Sequence, residues 1–168
     1  MPDISAQGIN GPFMLIHEVT GTYLETDNYH DALGQGIQTW NLDPLLTNKG
    51  QLGHLWYIEP VGDGTHLIKS YENSHCLAAS AARAGGLPVL ETPDKGVRQK
   101  WEFRKVLDFP GHEDSYAIVS KAYEDYALGL LGHAAQNNVY VVPTRMYDAP
   151  PSLSQTWKII DPPAGAGV

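Results

Sequence analysis

One cysteine, Cys76, stands in 168 residues, so no disulfide can form within the chain. That suits a reducing compartment, and a cytoplasmic location is expected, with export by a non-standard route left open. Basic residues are also scarce: 11 Lys and Arg against 19 Asp and Glu leave a net charge of −8. A nucleic-acid backbone or an anionic lipid surface needs a concentrated positive face, so neither is an expected partner. No apolar run approaches the roughly 20 residues that a membrane span needs, which leaves membrane insertion without a carrier. Met1 to Asn10 has neither a basic flank nor an apolar stretch, and no signal peptide is expected there.

The short motifs of catalysis are missing too. No Gly-x-Ser-x-Gly elbow, phosphate loop or dinucleotide fingerprint occurs. The seven histidines are His17, His30, His54, His66, His75, His112 and His133, and none forms the His-x-x-x-His pair of a helical zinc site. The expectation is a non-enzyme with no metal and no cofactor.

What the chain does have is an internal repeat. Three tripeptides, His54-Leu55-Trp56, Gln99-Lys100-Trp101 and Gln155-Thr156-Trp157, are each followed by an apolar, strand-like run. Three starts register against one another, Phe13-Met14-Leu15-Ile16-His17, His66-Leu67-Ile68-Lys69-Ser70 and Tyr116-Ala117-Ile118-Val119-Ser120, spaced 53 and 50 residues apart. A middle pair recurs as Tyr23-Leu24, Cys76-Leu77 and Tyr126-Ala127. Such a period marks a unit that buries its apolar face only against its own copies. With 42% hydrophobic residues the chain can bury a core as one domain.

Within each copy the pattern is short β-prone runs between turn residues: Met14 to Ile16, Thr22 to Thr26, Ile37 to Trp40 and Leu55 to Ile58 in the first. Asn41 to Gly53 and Pro143 to Ser154 read as long loops, and the two ends as poorly ordered tails. Four strands in each of three copies give about twelve, and closing them into a barrel removes exposed edges. The once-per-copy tryptophans, Trp56, Trp101 and Trp157, are expected in the core. Cys76, beside Leu77, is expected to be a buried structural thiol.

The copies and their terminal Gln-x-Trp motif, intact in the second and third and altered to His54-Leu55-Trp56 in the first, resemble the ricin B-type β-trefoil lectins. The resemblance covers Gly11 to Asp161. It implies an all-β fold, a β-trefoil of three pseudo-symmetric repeats of about four strands each, at about 11–61, 62–108 and 112–161, with 1–10 and 162–168 as tails. It also implies a lectin that binds glycans or glycoproteins. Sugar sites of that family combine an acid after the mid-copy apolar residue, a Gln-x-aromatic pair further on, and polar groups at the terminal motif. Physically, sugar hydroxyls need paired acceptors and donors, and the sugar's C–H face needs a flat ring.

In the first copy the matching residues are Glu25, Gln38 and Trp40, with Asn41 beside the ring, His54 at the terminal motif, and Asp27 as an alternative acceptor. The second copy places Ala78, Leu90 and Thr92 at these positions and the third Leu128, Tyr140 and Val142, so one site per chain is expected. A homodimer would then supply avidity. Two other readings stand beside the lectin. One is a protease inhibitor acting through an exposed loop, Pro143-Thr144-Arg145-Met146-Tyr147-Asp148, with Arg145 as its specificity residue. The other is a lectin-like subunit that binds another protein, with Leu45-Leu46 as its apolar contact.

Overall fold

The computed structural model describes residues 2–26, 33–34, 36–40, 52–106, 111, 115–130, 139–145 and 153–162. These residues form twelve strands in one hydrogen-bonded sheet and three single-turn 3-10 segments, with no α-helix among them. The strands are β1 (Asn10–His17), β2 (Tyr23–Thr26), β3 (Ile37–Trp40), β4 (Trp56–Pro60), β5 (His66–Ser70), β6 (Cys76–Ala78), β7 (Val89–Glu91), β8 (Trp101–Lys105), β9 (Ser115–Ser120), β10 (Tyr126–Leu130), β11 (Val139–Arg145) and β12 (Thr156–Ile160). The all-β expectation holds.

Following the pairings shows how the sheet closes. β1 pairs β4, β4 pairs β5, β5 pairs β8, β8 pairs β9, β9 pairs β12 and β12 returns to β1, all antiparallel. This ring is a six-stranded barrel, and closure leaves none of its six strands as an open edge. The other six strands form the hairpins β2–β3, β6–β7 and β10–β11, each joined to the barrel strand before it.

Alternation explains burial in β4, whereas β5 buries two adjacent residues, being covered on both faces at that point. In β4, Trp56 and Ile58 are buried while Tyr57 and Glu59 are half-buried; in β5, Leu67 and Ile68 are buried and Lys69 is not. The turn joining these two strands is Gly62-Asp63-Gly64, whose glycines have φ of 87° and 86°, a left-handed backbone that only glycine adopts without strain. Between them the Asp63 carboxylate accepts hydrogen bonds from Thr65 and from Lys100, the latter at 3.0 Å, and these hold its carboxyl well below the usual carboxylate range.

Trp56, Trp101 and Trp157 are fully buried at the centre of the core. Their indole N–H groups donate to the backbone carbonyls of Leu24 (2.9 Å), Leu77 (2.9 Å) and Leu128 (3.0 Å). Each tryptophan at the start of a barrel strand thus ties the barrel wall to a hairpin. The glutamine of the motif has a different task. Gln99 is buried; its Oε1 accepts from the Asp94 N–H at 2.9 Å and its Nε2 donates to the Thr92 carbonyl at 2.8 Å, folding the segment after β7 back on itself.

Cys76 is buried and free, as expected, and burial pushes its thiol up to about 11. Two expectations fail. The expected tail 1–10 is anchored at Ile4, which is 8% exposed and belongs to the core cluster, and β1 already begins at Asn10, while 5–9 are exposed. Pro143 to Arg145 is not loop but the end of β11, with Arg145 opposite Tyr126. β11 meets β3 only at Val139 and Tyr140, so its later residues have β10 as their one strand neighbour among the described residues, and proline is tolerated where only one side of a strand is paired.

Candidate functional site

The register of the first hairpin places Tyr23 opposite Trp40, Leu24 opposite Thr39, Glu25 opposite Gln38 and Thr26 opposite Ile37. Residues two apart share a face, so Tyr23, Glu25, Gln38 and Trp40 lie together on one side. Leu24 and Ile37 lie on the other and join the core. The apolar residues are what fix this register: a slip by one residue would turn Leu24 and Ile37 outward and the acid inward.

Glu25 and Gln38 are each 3% exposed, so the acid is not a solvated surface group. Gln38 Nε2 donates to Glu25 Oε1 at 2.8 Å. Because a carboxylate can only accept, this bond sets the amide's orientation and directs Gln38 Oε1 away from the acid. That oxygen is buried and accepts no hydrogen bond from the described residues. Trp40 is half-buried two positions along the same strand, roughly 7 Å away at the usual rise. The arrangement is a carboxylate held by an amide, an amide oxygen with no donor among the described residues, and a flat ring.

Of the other residues expected here, Asp27 and Asn41 lie outside the described residues. His54 ends a 3-10 turn and is 3% exposed, at the position that Gln99 holds in the second copy. The structure therefore buries it at the end of that turn. Leu45-Leu46 and Met146 to Asp148 also fall outside the described residues. Sequence reasoning did not assign to this site Tyr23, which stands opposite Trp40, nor the backbone position of Tyr140, which the β11–β3 register sets opposite Gln38. Only the pairing between separate hairpins reveals the second.

The equivalent positions in the other copies follow from the same geometry. The rows Ile16–Tyr23–Trp40, Lys69–Cys76–Glu91 and Val119–Ala127–Thr144 run across matching strands. The acid position is therefore Ala78 in the second copy and Gly129 in the third, facing Val89 and Val142. This shifts the sequence alignment by one residue in the third copy, where Leu128 accepts the tryptophan bond, and it replaces Leu90/Thr92 by Val89/Glu91 and Tyr140/Val142 by Val142/Thr144. Neither copy has an acid facing an amide. Glu91, at the position of Trp40, is held by Arg98 through two hydrogen bonds of 2.8 Å.

A closed six-stranded barrel with three attached hairpins is the architecture of a β-trefoil. Solved structures bear this out. The chain superposes on the designed three-fold symmetric protein ThreeFoil with a TM-score of 0.75 at 16% identity, covering 89% of this chain and 98% of that one. For the Rhizoctonia solani agglutinin the TM-score is 0.70 at 20% identity, over 96% and 100% of the two chains. For the ricin B-like lectin of Macrolepiota procera, determined in complex with lactose, it is 0.70 at 16% identity, over 95% and 99%. The chain has the β-trefoil fold of the ricin B-like lectins. No protein-family model and no curated protein sequence matches it.

Proposed function

We propose that the chain is a non-catalytic carbohydrate-binding lectin, built as one domain of three pseudo-symmetric copies at about 11–61, 62–108 and 112–161, with one sugar site on the first hairpin. The observation that carries this reading is the Glu25–Gln38 pair beside Trp40: a buried amide oxygen without a donor among the described residues, next to an oriented carboxylate and a half-buried ring. A pyranose offers a hydroxyl donor for Gln38 Oε1, while its C–H face covers Trp40. Asp27 and Asn41 flank this set in sequence, and His54, buried at the terminal motif, is the remaining polar candidate. The natural partners are glycans or glycoproteins, in the cytoplasm or after non-standard export, and pairing of two chains would raise avidity.

The inhibitor reading is weaker, because Arg145 sits in the β10–β11 ladder, whereas an inhibitory residue has to enter a protease cleft from a loop. The lectin-like subunit reading has no observation that favours it. A glycan array, followed by calorimetry with the best ligand and with lactose, tests the proposal. For the sugar that the first hairpin takes, one equivalent per chain is expected there, and Trp40→Ala should eliminate binding of that sugar. Full binding retained by Trp40→Ala, or two or three equal sites, would place the site elsewhere.

A further inference from the structure

The three copies match at two further outward positions. The residue after each motif tryptophan is Tyr57, Glu102 or Lys158, and each faces a barrel-strand neighbour: Lys69, Val119 or Ile16. The residue after each first barrel strand is Tyr71, Lys121 or Glu18. Its backbone N–H donates to the middle residue of the tripeptide, Leu55 (3.1 Å), Lys100 (3.0 Å) or Thr156 (3.1 Å). The two positions hold Glu102 and Lys121 at the start of the third copy and Lys158 and Glu18 at that of the first, charged residues suited to a wet surface. At the start of the second copy both positions are tyrosine.

Tyr57 and Tyr71 are half-buried, with ring centroids 5.5 Å apart and planes tilted by 32°. Beside them lies an ion pair that the other copies lack. Lys69 Nζ stands 2.6 Å from Glu59 Oε2, and their side chains are 14% and 23% exposed. Glu59 follows Tyr57 by two residues and shares its face. The corresponding residues are Arg104 and Ile160 elsewhere. Burial, and then the neighbouring Tyr71, holds the Tyr57 phenol above its usual value, so it is a neutral hydroxyl at physiological pH.

We infer that this seam between β4 and β5 is a second saccharide subsite, which takes a neutral pyranose with equatorial hydroxyls, such as a β-linked glucose-type sugar, on the Tyr57–Tyr71 shelf. An equatorial pyranose has flat C–H faces and directs its hydroxyls outward from the rim, where the Glu59 carboxylate accepts and the Lys69 ammonium and tyrosine hydroxyls donate. The ion pair is charge-neutral, which favours an uncharged ligand. The arrangement parallels the first hairpin, an acid held by an N–H donor next to an aromatic ring, but it uses a different seam of the fold and different residues. The ligand class rests on the lectin reading, whereas the location does not depend on the first-hairpin site.

The test is a chitotriose and cellotriose titration followed by NMR of tyrosine and tryptophan ring signals, in wild type, Trp40→Ala, Tyr71→Ala and Glu59→Gln. The expected result is that Tyr57 and Tyr71 signals shift in wild type and in Trp40→Ala, and that the shifts are lost in Tyr71→Ala and weakened at least tenfold in Glu59→Gln. Glu59→Gln keeps the side chain's shape and covers the case in which Tyr71→Ala fails to fold. No response of either tyrosine to either sugar in folded wild type would overturn the subsite and leave the Trp40 site standing. A tyrosine response with no ligand moving Trp40 would overturn the first-hairpin site and leave this one.

Discussion

Replacing Trp101 by alanine separates the structural role of the repeated motif from any role in binding. The indole is fully buried, and its N–H is held by the Leu77 carbonyl at 2.9 Å. Burying roughly 200 Å² of aromatic surface at about 25 cal/mol per Å² is worth about 5 kcal/mol. Large-to-alanine changes at such sites cost about 3–5 kcal/mol, because the surroundings collapse only in part. Trp101→Phe keeps most of the apolar surface and removes the donor, orphaning the Leu77 carbonyl, which costs about 1–3 kcal/mol. Urea unfolding reads both. With a slope of about 2 kcal/mol per M, the Trp101→Ala midpoint should fall by about 1.5–2.5 M in a single cooperative transition, and that of Trp101→Phe by about 0.5–1.5 M. Cooperativity is expected because the barrel closes only when β12 meets β1. A fall of less than about 0.5 M for Trp101→Ala at unchanged slope would refute the claim that these tryptophans join barrel to hairpins.

Gln99→Ala removes both bonds that fold the segment after β7, so it should cost about 1–3 kcal/mol and raise amide exchange at 92–96; unchanged exchange there would deny the glutamine its tie. Burial pushes the His66 imidazole below its usual value, against an opposing hydrogen bond with the Ile4 backbone and the charge of Asp63. As pH drops, the unfolded chain therefore takes up the proton before the folded one, and the stability contributed by neutral His66 is complete above about pH 6.5 and lost below it. The urea midpoint should fall between pH 7.5 and 5.5, and fall less in His66→Gln; an equal fall in both chains would assign the effect to other groups.

The barrel was legible because its signal is redundant. One tryptophan per copy at matched spacing, with alternating apolar residues around it, leaves little freedom in placing Trp56, Trp101 and Trp157. The third hairpin was harder. Tyr126-Ala127-Leu128 offers two apolar residues in succession, and only the Trp157 bond to the Leu128 carbonyl decides between them. Ile4 gave no periodic signal, since one apolar residue among polar ones does not reveal that it packs into the core. At the candidate site, Glu25, Gln38 and Trp40 were found by type and spacing, and the structure puts them on one face. His54 was legible as a motif residue but not as a buried one. The approach of Tyr140 could not be read at all, because it depends on pairing between residues about 100 positions apart.

The same alternation explains how one fold keeps its core while its copies diverge. Inward residues are fixed by mutual packing: Leu24, Leu77 and Leu128 each supply the carbonyl for a tryptophan, and each lies in the core cluster. The residues preceding them, Tyr23, Cys76 and Ala127, lie on the opposite face in rows free of the tryptophan bonds, although Cys76 and Ala127 are themselves buried there. One reads Lys158–Ile16–Tyr23–Trp40, the next Tyr57–Lys69–Cys76–Glu91, and the third Glu102–Val119–Ala127–Thr144. The first row carries a ring at its hairpin end and the second an aromatic at its barrel end. In the third, Val119 and Ala127 join Ala117 in a small apolar cluster of their own. A substitution at the half-buried or exposed members of these rows leaves the tryptophan bonds untouched, so those positions can change without loosening the barrel core. Binding valency in this chain is therefore set row by row, and exchanging Glu91 or Thr144 for tryptophan alone should not create a site, because Ala78 and Gly129 supply no acid beside it.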